Sequence, residues 1–235
     1  MLIVFCAKDL SQLVKLNYCF WMEKKKLEFV HGVIMLNFPD KKSQIIYADP
    51  PYEYSNSGST KNSRGNAKQF YKTMPINEIK KLPVEKLADE NCWLFLWTTY
   101  PQIQNGVDIL GAWGFNFKTV AFTWIKKTVN MKDFVGMGFY TRANPEIVLL
   151  GLKGKVHPIN KTVRNIVYSQ IQEHSKKPDI IRDKIIQLCG DLPRIELFAR
   201  QKIPKWDCWG NDPNLQSQPL EAFSHQLINK ELLID

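Results

Sequence analysis

A chain of 235 residues, 44% hydrophobic and 23% charged, has room for one sizeable core, and this composition is that of a globular protein and excludes a disordered one. Lys and Arg outnumber Asp and Glu by 32 to 23, a net charge of +9 that fits an anionic partner such as nucleic acid and equally fits simple solubility. The five cysteines are scattered with no C-x-x-C pair, which argues against disulfides and structural zinc, and no apolar run reaches the roughly 20 residues that span a bilayer.

Residues 1–39 show weak periodicity, with Lys24, Lys25 and Lys26 as a solvated face, and read as an N-terminal extension. The domain proper is expected to start near Met35. The segment "QIIYAD" is a short strand apolar on both faces, as in a parallel sheet. The polar run from Glu53 to Tyr71 is a long loop, and loops of that length in compact domains are commonly functional. "PINEIKKLPVEKLADE" has helical period with a proline break, and "CWLFLWTT" is a buried strand. "YPQIQNGVDILGAWG" predicts a helix stopped by Gly114, followed by strands in "FKTVAFTWIKK" and "NPEIVLLGLKG". "KPDIIRDKIIQLCG" is a helix with Ile180, Ile181, Ile185 and Leu188 on one face, and "RIELFARQ" a final strand. Strands alternating with helices predict an α/β fold around a mostly parallel sheet. The domain is expected over 40–213, and the polar remainder, 214–235, is a tail or a small amphipathic helix through Leu227, Leu232 and Leu233.

Ligands of such sheets bind outside the carboxyl ends of the strands, and Asp49-Pro50-Pro51-Tyr52 occupies such an end. The prolines stiffen the turn and remove two N–H donors, leaving acceptors. The Asp49 carboxylate and the Pro50 carbonyl suit an exocyclic amino group, and an exposed Tyr52 ring suits stacking on a base, worth roughly 1–3 kcal/mol. Two acceptors pulling on the hydrogens of a conjugated amine favour a pyramidal nitrogen whose lone pair can attack a methyl group. A plain Asp-Pro-Pro turn that only ends a strand explains the same letters.

Four ordered blocks, "YADPPYEYS", "GFYTRANPEIVLLGLKG", "VRNIVYSQIQEHSKKPDIIRDKI" and "RIELFARQKIPKWDCWGND", add context. With them the chain, from about Ser43 to Pro213, resembles the catalytic-subunit family of mRNA adenosine N6-methyltransferases and its bacterial and phage DNA adenine relatives. The resemblance implies a Rossmann-like methyltransferase with permuted motif order, helices on both sheet faces and S-adenosylmethionine as methyl donor. It implies that Asp49 and Lys177 hold the donor's amino-acid part, Glu196 and Arg200 its ribose, and Asn211 and Asp212 close that pocket. Asp49, Pro50, Pro51 and Tyr52 would be catalytic. Arg142, Asn144 and Glu146, beside Tyr52, would line the acceptor side. Lys161 and Arg164, with His157, would add phosphate contacts; Lys61, Arg64 and Lys68 of the long loop suit the same task. Ala199 stands where the family more often has Gly, and His31 stands near where an acidic residue would meet the donor's adenine. No G-x-G-x-x-G is present, and "LGAWGF" reads as packing and a helix stop.

The expectation is an adenine-N6 methyltransferase of nucleic acid, with DNA favoured over RNA by the plainness of the chain, and no metal. It would be cytoplasmic, without membrane attachment, and a monomer or a dimer with a related subunit. RNA adenosine methylation and an inactive, nucleic-acid-binding partner subunit are the alternatives.

Overall fold

The computed structural model describes residues 27–30, 33–36, 41–53, 73–138, 140–172 and 176–210. The chain forms two compact units, Met1–Pro39 and Asp40–Asp235. In the first, β1 (Leu27–Val30) and β2 (Val33–Leu36) pair as an antiparallel hairpin, with Leu27 opposite Leu36. Sequence periodicity alone does not reveal this hairpin, because each strand is only 4 residues long.

In the second unit, β3 (Ser43–Ala48), β4 (Ala88–Thr98), β5 (Asn116–Lys127), β6 (Glu146–Lys153), β7 (Ile166–Gln170), β8 (Arg194–Leu197) and β9 (Asp207–Trp209) form one sheet. Their spatial order is β7-β5-β6-β4-β3-β8-β9. The β3–β4, β3–β8, β8–β9 and β5–β7 pairs are parallel, while β6 runs antiparallel to both its neighbours. The result is a mixed, mostly parallel α/β sheet of Rossmann-like type.

The central position of β3 explains its unbroken apolar run: Ile45, Ile46, Tyr47 and Ala48 are all 1% exposed or less, covered from both faces. On one face, Ile181, Ile185 and Cys189 of helix α3 (Ile180–Cys189) join Ile45, Tyr47, Phe95 and Trp97 in the core. On the other face packs helix α2 (Ile103–Ala112), where Gly106 lies against Leu149 and Leu110 against Gly151. A Cβ on Gly106 would stand 2.7 Å from the Leu149 Cδ1, so only glycine allows this approach without rearrangement. The short helix α1 (Ile76–Lys81) is tied to α2 by the Lys80–Asp108 ion pair and by the Trp113 indole, which donates to the Ile79 carbonyl.

The stop after α2 follows a defined pattern. Gly114, at φ 80°, donates its N–H to Gly111, and Phe115 donates to Leu110, a Schellman cap that satisfies carbonyls left open at the helix end. One sequence expectation is corrected, and two strands are added. Ala88, Asp89 and Glu90, which continue the helical composition before them, open β4 instead, after a 3-10 turn at Val84–Lys86. The segments Ile166–Gln170 and Asp207–Trp209 are edge strands, too short and too polar for period to expose them. The long loop expected from Glu53 to Tyr71 lies, beyond Glu53, outside the described residues, as do the tail expected over 214–235 and His31, Lys61, Arg64 and Lys68.

Candidate active site

β3 delivers Asp49 to the carboxyl-end edge of the sheet. Beyond it, a tight turn forms in which the Tyr52 N–H donates to the Pro50 carbonyl at 2.9 Å. Met74 donates its N–H to the Pro51 carbonyl at 2.8 Å, pinning the prolines to a neighbouring segment. Tyr52 is not the exposed ring expected from the sequence. Its hydroxyl reaches across to the Trp97 carbonyl at 2.7 Å, which draws the ring down to 5% exposure.

The reversed direction of β6 matters here. A strand antiparallel to its neighbours brings its amino end to the edge where the parallel strands finish, and Glu146 is the first residue of β6. Asp49, Pro50, Tyr52, Trp97, Thr98, Thr99 and Glu146 therefore line one pocket, built from the ends of β3, β4 and β6.

An alternating line of charges runs through this edge. Lys177, just ahead of α3, sets its ammonium 2.9 Å from the Asp49 Oδ2 and 3.4 Å from the Glu146 Oε2. Lys126, near the end of β5, sits 2.6 Å from the Glu146 Oε1. Burial alone would weaken the Lys177 ammonium, but Asp49 and Glu146 outweigh it and hold the group protonated well above the usual lysine range. Burial likewise opposes ionisation of Glu146, yet Lys177 and Lys126 together hold its carboxyl below the usual range. The Lys177 ammonium also lies 5.3 Å from the centre of the Trp97 ring, a cation–π seat.

A second buried pair lies on β8 and α3. Arg182 forks onto Glu196, with its Nε 2.7 Å from Oε2 and its Nη2 2.8 Å from Oε1. Glu196 is in register with Tyr47, and Leu197 with Ala48, so the end of β8 lies beside Asp49. Just past it, Phe198 takes φ 60°, uncommon for a non-glycine residue, and Arg200 follows at the surface. Asn211 and Asp212 lie outside the described residues.

Other expected site residues are placed differently. Asn144 accepts from the Lys126 N–H at 2.8 Å and donates to the Lys126 and Phe134 carbonyls, so its amide staples the β5–β6 connection. Arg142 is exposed on that same connection. Lys161 does not join the cluster, because β6 carries the chain away from the site. The neighbouring Ile159 N–H bonds the Leu188 carbonyl near the end of α3, whose other end follows Lys177. Arg164 also stays outside, exposed, with its carbonyl held by Lys184 midway along α3. Sequence reasoning missed Trp97, Thr98, Thr99 and Lys126, although all stand at carboxyl ends of recognised strands. Burial pushes the Cys92 and Cys189 thiols up to about 12, so neither serves as a nucleophile at neutral pH. Among the described residues, no group of three or more His, Cys, Asp or Glu is placed to hold a metal ion, and no helix is long and apolar enough to cross a membrane.

Residues 43–212, the span holding this edge and its sheet, match the MT-A70 family. The chain belongs to the MT-A70 family. The proteins it resembles include the type II methyltransferase M.MunI of Mycoplasma sp, 36% identical over 188 residues, which cover 73% of this chain and 78% of that protein. The N(6)-adenosine-methyltransferase subunit METTL3 of Danio rerio is 27% identical over 80% of this chain but 32% of its own length. The catalytic subunit METTL3 of Homo sapiens is 25% identical, with 33% of its length covered. MT-A70 proteins are S-adenosylmethionine-dependent methyltransferases, and this chain is an enzyme of that type. The donor set fits such a cofactor: adjacent, oppositely charged Lys177 and Asp49 complement the carboxylate and the ammonium of its amino-acid part.

Proposed function

We propose that this protein transfers a methyl group from S-adenosylmethionine to the N6 amino group of adenine in nucleic acid, with DNA as the substrate. The observation that carries the reading is Asp49 itself. One of its oxygens, Oδ2, is engaged by Lys177 at 2.9 Å, while the carboxylate lines the pocket beside Pro50 and Tyr52. The choice of DNA follows the fuller likeness, to a type II methyltransferase over most of both chains rather than to N(6)-adenosine enzymes over a third of theirs.

When bound, S-adenosylmethionine supplies an electrophilic methyl group on a positively charged sulfur. The residues of the chain do the rest. The Asp49 Oδ1 accepts one N6 hydrogen, and the Pro50 carbonyl, which has a second lone pair besides the one facing the Tyr52 N–H, accepts the other. This pairing draws the amine toward a pyramidal nitrogen and leaves Asp49 placed to take the proton released on transfer. Tyr52 forms the aromatic wall for the base, and Lys177 holds the donor's carboxylate. Glu196 remains able to accept from ribose hydroxyls beyond its Arg182 fork, and Arg200 to donate to them; Asn211 and Asp212 complete the donor pocket. Arg142 contributes positive charge on the acceptor side. In a duplex, the adenine must first leave the stack, at a cost of a few kcal/mol.

Incubation with methyl-labelled S-adenosylmethionine and matched DNA and RNA oligonucleotides tests the proposal. Label recovered as N6-methyladenine in DNA is the expected result. Label in RNA alone would overturn the substrate, and no label in either would support an inactive partner subunit.

A further inference from the structure

A line of buried groups beneath the pocket joins its donor side to its acceptor side, and none of the roles assigned above accounts for it. Trp97 is the shared member. Its carbonyl accepts from the Tyr52 hydroxyl at 2.7 Å. Its indole N–H donates to the Tyr47 hydroxyl at 2.6 Å. Its ring carries the Lys177 ammonium 5.3 Å from the centroid, and that ammonium reaches Asp49 at 2.9 Å.

Both Trp97 and Tyr47 are 1% exposed. For packing alone, a phenylalanine at 47 would serve as well, since the ring already meets Trp206 at 5.9 Å and Arg182 at 5.6 Å. The hydroxyl needs its own reason, because burying a polar group without a role costs free energy. What it does is fix the indole. An indole rotated about its Cβ–Cγ bond would lose the N–H bond to Tyr47 and turn its face from Lys177 together. Lysine is a flexible, four-carbon stem with a point charge, so its placement depends on such a seat.

We propose that Tyr47 and Trp97 are positioning residues for methyl transfer: Tyr47 sets the rotation of the Trp97 indole, and the indole face holds the Lys177 ammonium between Asp49 and the donor's carboxylate. The inference rests on the donor role of Lys177 proposed above. Neither residue touches the reacting atoms; both act through Lys177. Burial holds the Tyr47 proton in place well above the usual phenol range, so the hydroxyl stays a neutral acceptor throughout the working pH.

Tyr47→Phe keeps the ring and removes the acceptor. Its donor KM is expected to rise about tenfold, and its affinity for S-adenosylhomocysteine, by calorimetry, to fall by the same factor, as for a lost desolvated cation contact. The kcat at saturating donor and the KM for a DNA oligonucleotide should stay within about twofold, since the acceptor side keeps its Tyr52–Trp97 bond. Trp97→Phe, which also alters the pocket wall, should lose at least as much donor affinity, and Tyr47→Phe combined with Trp97→Phe should bind the donor no worse than Trp97→Phe alone, because both act through one bond. Unchanged donor KM and affinity in Tyr47→Phe would overturn the inference. So would a parallel loss of kcat and both KM values with melting temperature, the mark of a merely structural role. A wild-type protein that fails to bind S-adenosylhomocysteine would overturn the donor site and this inference together, whereas binding unchanged by Tyr47→Phe sinks the inference alone.

Discussion

Asp49 bonds Lys177 through Oδ2, and in the proposed mechanism its Oδ1 takes the substrate amine, so truncating it is expected to have two effects of unequal size. Asp49→Ala is expected to abolish label transfer while lowering S-adenosylhomocysteine affinity by about tenfold or less, because Lys177 keeps Glu146 at 3.4 Å as a partner. Near-normal turnover in that variant would remove Asp49 from the chemistry. Glu146 supports a pH prediction. Its carboxyl is depressed by Lys177 and Lys126 against the opposing effect of burial. A depressed carboxyl stabilises the fold fully above its ordinary value of about 4.3, and the contribution is lost as pH falls through the lower folded value. The raised Lys177 behaves oppositely: its contribution is complete below the usual lysine range and is lost only as pH rises through its raised value. Thermal unfolding of Glu146→Gln should therefore fall below wild type at pH 6–8, with the gap closing toward pH 3; a gap independent of pH would detach Glu146 from the charge line. Asp49 and Lys177 were legible in the sequence because prolines and ordered blocks mark them. Lys126 was not, since a lysine near a strand end looks like any solvated charge, and its partner stands 20 residues further on.

The strands and helices themselves were mostly legible, and the reason differs by element. Buried central strands such as β3 write an unbroken apolar run, and the helices α2 and α3 carry glycine stops that hold in the structure at Gly114 and Gly190. Direction within the sheet left no mark in composition. Nothing in "EIVLLGLK" says that β6 runs against its neighbours, yet that reversal brings Glu146 to Asp49 and takes Lys161 away. The same strand carries the contact that seats α2. Gly106→Val would push branched methyls into the Leu149 Cδ1, 2.7 Å from even a bare Cβ, and against Thr98 at 3.4 Å. Overpacking of this kind is expected to lower unfolding stability by about 1–3 kcal/mol in urea titration. An unchanged midpoint would mean that α2 slides freely on the sheet, and that the Thr98 wall of the pocket is not set by this contact.

For the whole molecule, the surplus of 32 basic over 23 acidic residues was ambiguous as composition, because solubility and phosphate binding need the same charges. Salt separates them. A protein that neutralises several phosphates releases counterions, and its affinity for DNA falls steeply and linearly on logarithmic axes, by about a thousandfold between 50 and 200 mM salt for some six contacts. The Lys177–Asp49 pair is largely buried, with side chains 13% and 23% exposed, and buried pairs are screened far less. Duplex DNA affinity is therefore expected to drop by about a hundredfold or more over that range, while S-adenosylhomocysteine affinity changes by less than about twofold. The two measurements also decide where the phosphates lie. Lys161 follows Ile159, which is bonded near the far end of α3, and the Arg164 carbonyl is held midway along that helix, so Lys161→Ala with Arg164→Ala should leave the salt slope for DNA unchanged. A slope shallower by about 2 in that double variant would show that the backbone of the nucleic acid wraps beyond the strand ends to reach them.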